Sequence, residues 1–348
     1  MNQINKQVVL DARPQKSATT EHFRIREVAV PVPSDGQVLL RTVYLSVDPY
    51  LLRVIKGIPT YAPVHPGDAL VSRSICEVVE SRHAGFAPGD AVFLYASWQN
   101  FHVAHGDTLR KVDAGVIPAS AYLSVMGHSA LTAWAGLLDV GRPKAGETVV
   151  VSAAAGAVGS VVGQIARIKG CRAVGIAGGA AKCDHVVNFL GFDACVDYRS
   201  PDFAAKLRAA VPDGIDVYFE NVGGVVFDTV LSLLNHSARI PLCGLVSHYG
   251  EDEPVTFRHW GQMLTQLVRI QAFRVSDYLP RSDEAMAEMK RWYLEGRLKY
   301  HESVAQGIDN APAAFVDMLS GRNLGKQLVQ AGPDHWVSAN TSMQLQRG

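Results

Sequence analysis

The stretch ETVVVSAAAGAVGSVVGQIA, Glu147 to Ala166, carries no charge after its first residue and is nearly long enough to cross a bilayer. Its period, however, changes partway. ETVVVSA is a β-branched run of the kind that fills a buried strand. Val158, Val161, Val162, Ile165 and Ile168 then recur at helical spacing and stop at Gly170, where a left-handed cap fits. With the glycines between, the stretch reads as strand, tight turn and helix rather than as a membrane span.

The same unit recurs downstream. CRAVGIA leads into a helix that runs to Leu190 and stops at Gly191. ACVDY precedes Ser200-Pro201-Asp202, a helix start with a capping hydroxyl, a proline at the first position and an acid facing the dipole. IDVYFEN, the helix VVFDTVLSLL and RIPLCGLVS follow, then a strand near Arg269 to Val275 and a helix from Ser282 to Glu295. Strands this apolar, alternating with helices, predict a parallel sheet covered on both faces. Up to about Ser120 the chain instead has short β runs (QVLLRTVYLSV, DALVSRSICEVVES, DAVFLYASW) split by Pro-Gly and Gly-Asp turns, so this half reads as mostly β. KYHESVAQG, a short helix Ala311 to Leu319 and GKQLVQA return to strand character and can pair with that half. The expected domains are therefore 1–125 with 299–348, and an inserted 126–298. The last residues, DHWVSANTSMQLQRG, have no period and read as loose.

The chain has 348 residues, enough for two domains, and 48% of them are hydrophobic, enough for sizeable cores. Thirty-three basic side chains balance thirty-three acidic ones, which leaves no overall charge for nucleic acid or an anionic membrane. MNQINKQVVLDARP has neither a basic start before an apolar stretch nor a small-residue cleavage site, which argues against export. Cys76, Cys171, Cys183, Cys195 and Cys243 are odd in number, scattered and in no CxxC pair; they read as free thiols in a reducing compartment, expected to be the cytoplasm.

At the first strand-to-helix turn, Ala154-Ala155-Gly156-Ala157-Val158-Gly159 is a dinucleotide fingerprint with alanine in the first glycine position. Gly156 lets backbone approach a pyrophosphate, Gly159 lets helix and strand pack closely, and the helix start supplies amide donors. An Asp or Glu for the ribose hydroxyls belongs about twenty residues on. That window is Ile176-Ala177-Gly178-Gly179, with no acid, and Lys182 follows. The missing acid removes a repulsion against a 2′-phosphate, the glycines leave room for it, and the lysine can reach it. The expected cofactor is thus NADPH.

The run ETVVVSAAAGAVGSVVGQIARIKGCRAVGIAGGAAKCD, with DGIDVYFENVGG and CGLVSHY, resembles the zinc-independent medium-chain dehydrogenase/reductases. Within them it is similar to the branch of prostaglandin reductases, alkenal double-bond reductases and curcumin reductases. The similarity extends from SVDPY near Val47 to NLGKQLV near Leu328. It implies an α/β protein with a Rossmann parallel sheet, helices on both faces, and a mostly-β, GroES-like catalytic domain. The implied activity is NADPH-dependent reduction of the C=C bond of a small-molecule enone or enal, by a cytoplasmic homodimer without metal. The family's phosphate-loop positions fall on Gly156, Ala157, Val158 and Gly159, its 2′-phosphate ligands on Lys182 and Tyr198, and a further cofactor contact on Asn221. Its nicotinamide-side positions fall on Cys243, Gly244, Leu245, Ser247 and Tyr249, on Phe273 and Val275, and on Asn323. Tyr50, Tyr61 and Tyr249 would line the substrate cleft. Two segments depart from the pattern: the family tends to DPYMR where this chain has DPYLLR, and to GLTAY where it has SALTAW.

Hydride delivered to the β-carbon of an enone leaves negative charge on the carbonyl oxygen, and the α-carbon needs a proton. A tyrosine hydroxyl can donate to that oxygen without being charged. Tyr249 follows LCGLVS at the end of a strand where open α/β sheets bind ligands, so it is the expected oxyanion donor or proton relay, with Tyr50 and Tyr61 as candidates beside it. A quinone oxidoreductase and a cofactor-binding protein without turnover are the competing readings. His102-x-x-His105 makes at most half a metal site, and Gly127-His128-Ser129 lacks the second glycine of a nucleophile elbow, with Leu131 in its place.

Overall fold

The computed structural model describes residues 4–58, 62, 64–250 and 255–336. The chain divides into two compact units, Met1–Leu123 with Glu302–Gly348, and Ser124–His301. The sequence reading put its junctions at 125/126 and 298/299.

In the second unit six parallel strands lie in the order Ala194–Asp197, Arg172–Ala177, Thr148–Ser152, Ile215–Phe219, Leu234–Leu242, Arg269–Ala272. Numbered along the chain this is 3-2-1-4-5-6, the Rossmann order. The order reverses between Thr148–Ser152 and Ile215–Phe219, and the C-terminal ends of these two strands define the switch point. Val149, Val150 and Val151 are fully buried on both faces of the sheet, as their unbroken β-branched run requires. Helix Gly159–Ile168 buries Val161, Val162 and Ile165 against it. The helix expected at Ser200-Pro201-Asp202 starts later, at Phe203 with Asp202 as its cap residue. The Ser200 hydroxyl bonds the Asp202 carboxylate instead of a helix amide, and the Phe203 amide closes a turn onto the Ser200 carbonyl at 3.1 Å.

The first unit is mostly β. Its larger sheet runs Glu302–Gln306, Lys326–Gln330, Gln37–Ser46, Val71–Ser81, Ala91–Ser97, Arg110–Lys111, with Phe101–His105 also pairing to Gln37–Ser46. The C-terminal strand Lys326–Gln330 joins the N-terminal half antiparallel, Leu328 opposite Ser46. A second pair, Ile4–Leu10 with Phe23–Ala29, packs Phe23 edge-on to Phe315, which also meets Trp98. Of the stretch expected to be loose, Asp334 to Trp336 are held, and residues 337–348 lie outside the described residues. Tyr44 donates to Asp334 at 3.0 Å, and the Trp336 indole donates to the Gly89 carbonyl at 2.9 Å.

This unit buries an ion cluster. Asp48 accepts from Lys326 Nζ at 2.6 Å and from the Ser46 hydroxyl at 2.5 Å, with Arg73 at 3.6 Å. Burial alone would push the Asp48 carboxyl up. Lys326 and Arg73, together with the hydrogen bonds, outweigh burial and hold it well below the ordinary carboxylate range. Asp48→Asn leaves Lys326, 3% exposed, without its counterion, and is expected to cost about 3–5 kcal/mol in urea unfolding. Because the folded pKa is depressed, the wild-type contribution is present above the unfolded value of about 3.9 and is lost as pH falls below it. An unchanged midpoint in the variant would remove the cluster from the stabilising interactions.

Candidate active site

The phosphate loop starts with a strained residue. Ala153, directly after the first strand of the parallel sheet, has φ 51°, and its carbonyl accepts from the Gly156 amide at 2.9 Å. A Cβ on Gly159 would stand 2.3 Å from that carbonyl, so helix Gly159–Ile168 approaches the loop as closely as the fingerprint requires. Gly156, Ala157 and Val158 are partly exposed at the turn. Ala154, in the first glycine position, is fully buried, and its methyl fits because the neighbouring strand carries Gly175, where a Cβ would lie 2.8 Å from it.

Past the second strand, Gly178 and Gly179 turn into helix Ala180–Asp184, which carries Lys182. A Cβ on Gly178 would meet Tyr198 and the Arg199 side chain, whose nearest atoms would stand 2.9 and 3.1 Å away. Burial, and then the Arg199 guanidinium, lower the Lys182 pKa. Two cations and a phenol hydroxyl thus gather at Gly178–Gly179. Arg199 was absent from the sequence reading. Its signal was there: it follows Tyr198 directly at the end of the third strand.

At the switch point the ends of the first, fourth and fifth strands are tied by side chains. Ser152 Oγ accepts from the Asn221 amide at 2.7 Å, and Asn221 Nδ2 donates to the Ser152 carbonyl at 2.8 Å. Glu220 Oε1 accepts from the Val222 amide, from the Gly223 amide at 2.7 Å and from Ser152 Oγ at 3.3 Å. The Glu220 carbonyl takes the amides of Cys243 and Gly244, and the Asn221 carbonyl takes that of Val246. Ser247 donates to the Val222 carbonyl at 2.5 Å, and His248 Nε2 accepts from the Gly224 amide at 3.1 Å. Asn221 and the segment Cys243, Gly244, Leu245, Ser247 and Tyr249 therefore stand together. Tyr249 folds back on the same loop; a Cβ on Gly244 would lie 3.2 Å from its hydroxyl.

Glu220 is fully buried, and so is the Tyr218 hydroxyl. Among the described residues Glu220 Oε2 has no hydrogen-bond partner, though the Tyr218 hydroxyl is near enough to act on the carboxyl. Burial raises the carboxyl to about 6, against the pull of Tyr218, the Val222 and Gly223 amides and Ser152. The Cys243 thiol is pushed up to about 12, by desolvation first and the Glu220 charge second, which makes it an inert neighbour and no nucleophile.

The other expected residues belong to other elements. Phe273, past the sixth strand, packs its ring edge-on to Phe219 at 6.2 Å and against Gly136, and Val275 begins the turn Val275–Arg281. In the first unit Tyr50 caps helix Leu51–Lys56 with the Arg73 guanidinium 5.9 Å from its ring centre, and its pKa is raised by burial and then by Asp48. Asn323 donates to the Gly325 carbonyl at 2.9 Å. Tyr61 lies outside the described residues. His102 is buried, bonds Thr42 at 2.8 Å and is lowered to about 4 by burial; His105 is exposed and pairs with Asp107. An odd spacing along one strand turns the two rings to opposite faces. Among the described residues no group of three or more His, Cys, Asp or Glu could hold a metal ion.

The raised Glu220 pKa has a signed consequence. A folded value of about 6 above the ordinary 4.5 means that its stabilising contribution is complete at low pH and is lost as pH rises through 6. Wild type is expected to lose about 1 kcal/mol more than Glu220→Gln between pH 5 and pH 8. Urea midpoints of the two proteins at both pH values read this directly, and parallel pH profiles would contradict it.

Two sequence-family models match the chain, one for the N-terminal domain of oxidoreductases over residues 6–112 and one for zinc-binding dehydrogenases over residues 157–291. The NADPH-dependent curcumin reductase of Escherichia coli (strain K12) is 46% identical over 339 residues, covering 95% of this chain and 98% of that protein. Prostaglandin reductase 1 of Rattus norvegicus is 38% identical over 319 residues, covering 90% and 95%. Among solved structures, CurA from Vibrio vulnificus in complex with NADPH superposes with a TM-score of 0.90 at 43% identity, over 94% of this chain and 100% of that one. With a phosphate loop, a switch point and a strand order that all agree, the chain belongs to the zinc-independent medium-chain dehydrogenase/reductases, in the branch of curcumin and prostaglandin reductases.

Proposed function

We propose that this protein reduces the C=C bond of small α,β-unsaturated ketones and aldehydes, with Lys182, Tyr198 and Arg199 selecting the cofactor and Tyr249 serving the carbonyl oxygen. The enzyme is an NADPH-dependent oxidoreductase acting on conjugated C=C bonds. The observation that carries the cofactor choice is the gathering of two cations and a phenol at a Gly-Gly turn that has no acid in its own sequence. An acid is present nearby, Asp197. Its Oδ1 is occupied by the Gly179 and Arg199 amides, at 2.8 and 2.9 Å, which draw its charge toward the backbone.

When bound, NADPH supplies the hydride that adds to the β-carbon. The chain's own residues hold, orient and protonate. Gly156 to Gly159 bring backbone close to the pyrophosphate. Lys182, Arg199 and the Tyr198 hydroxyl grip the 2′-phosphate through charge-assisted and neutral hydrogen bonds. Asn221, fixed by Ser152, presents its remaining amide valence at the switch point. The Tyr249 hydroxyl donates to the oxygen as it becomes an enolate, and the α-carbon is then protonated through that hydroxyl or a water on it.

Initial rates with NADPH across conjugated enones and enals, followed by identification of a saturated carbonyl product, test the reading; no NADPH oxidation with any of them would end it. Lys182→Ala is expected to lower the ratio of NADPH to NADH efficiency about ten- to a hundredfold, the worth of one charge-assisted hydrogen bond. Tyr249→Phe is expected to lower kcat about a hundred- to a thousandfold with KM little changed, as removal of an oxyanion donor does. A Tyr249→Phe enzyme with full kcat would assign the oxygen to another donor.

A further inference from the structure

Cys183 and Cys195 are twelve positions apart in sequence, one on the helix after the second strand and the other on the third strand. Their sulfurs stand 3.1 Å apart, inside ordinary contact for two unbonded sulfurs. Both residues are partly exposed, whereas Cys76 and Cys171 are buried. Cys183 directly follows Lys182, and Cys195 packs under Gly175, where a Cβ would stand 3.2 Å from its sulfur. The pair therefore lies against the second strand, beside the turn that carries the cofactor-selecting cations.

We propose that Cys183 and Cys195 are a reversible dithiol–disulfide site, and that its oxidation by a hydroperoxide weakens NADPH binding. The Cys183 sulfur attacks the peroxide, the O–O bond breaks, and a sulfenic acid and one water (or alcohol) result. The Cys195 sulfur then attacks the sulfenic sulfur; the S–S bond forms, the S–O bond breaks, and the hydroxide leaves with the Cys195 proton as a second water. A dithiol reverses the step by exchange. The hydrogen bond from Cys195 holds the Cys183 thiol below its ordinary pKa and Cys195 above its own, which assigns attack to Cys183. A disulfide needs about 2.05 Å, so the sulfurs must close by roughly 1 Å. That movement draws on the first turn of the helix and on Lys182 beside it. The effect on affinity rests on the NADPH reading of Lys182; formation of the bond does not.

No Lys or Arg separates the two cysteines, so one tryptic peptide, Cys183 to Arg199, carries both. After treatment of the whole protein with hydrogen peroxide, that peptide is expected to be lighter by two hydrogens, to resist alkylation, and to regain its mass with dithiothreitol. In Cys195→Ser it should instead gain oxygen or stay alkylatable. The oxidised protein is expected to bind NADPH about tenfold more weakly by fluorescence titration, with NADH little changed and the Cys195→Ser variant insensitive. Persistence of both thiols, separate oxidation of each, or bonds to other cysteines would overturn the site. A disulfide that leaves NADPH affinity unchanged would overturn the switch. Reduced protein that does not prefer NADPH would overturn the cofactor reading and leave disulfide formation standing on the peptide mass.

Discussion

The geometry of the cofactor-binding unit depends on a buried carboxylate at the point where the sheet reverses. Glu220 comes from the fourth strand and reaches the amides of Val222 and Gly223, while its neighbour Asn221 reaches across to Ser152 on the first strand. Removing a carboxylate from water is expensive, and two backbone amides and a hydroxyl offset only part of that cost, as a pKa of about 6 attests. The return is order. Three strand ends that would otherwise finish in independent loops are tied into one knot, and the segment Cys243 to Tyr249 hangs from its carbonyls. A reaction that needs a hydroxyl within hydrogen-bond reach of a developing charge requires such a mount.

The Gly178–Gly179 turn and the switch point differ in their electrostatics, and the difference follows from local chemistry. At Gly178–Gly179 the groups are cationic and half exposed: Lys182, Arg199 and the Tyr198 hydroxyl, a set suited to a doubly charged anion. At the switch point they are neutral donors around a buried acid, with a thiol kept protonated. A hydride transfer is favoured where no strong base or nucleophile competes for the substrate. The inert Cys243 and the amide-bound Glu220 meet that condition without a metal ion.

Much of this was legible from spacing. The strand–turn–helix reading of Glu147 to Ala166, the alternation after it, and the return of the C-terminal strand to the N-terminal half all rest on period and punctuation, which report burial directly. Ser200-Pro201-Asp202 was misread as a helix start because the Ser200 hydroxyl had a closer partner, the Asp202 carboxylate, than any helix amide. The first three residues of the expected loose tail were misread because the partners of Asp334 and Trp336, Tyr44 and Gly89, are far away in sequence. Arg199 was missed for a similar reason. Its place beside Tyr198 was visible in the sequence, but its approach to Lys182 comes only with the fold.

The alanine in the first glycine position shows how such a site tolerates a departure from its pattern. Ala154 adds a methyl where the fingerprint has none, and the space is supplied by Gly175 on the next strand. The same glycine also makes room for Val186 from the following helix and for the Cys195 sulfur from the third strand. One absent side chain thus receives the phosphate loop on one side and the thiol pair on the other, through rigid contacts with no intervening loop. A shift at the sulfurs has a packed route to Ala154 as well as to Lys182, because interiors at this density transmit small displacements instead of absorbing them. The first-position alanine is half of a pair whose other half is Gly175.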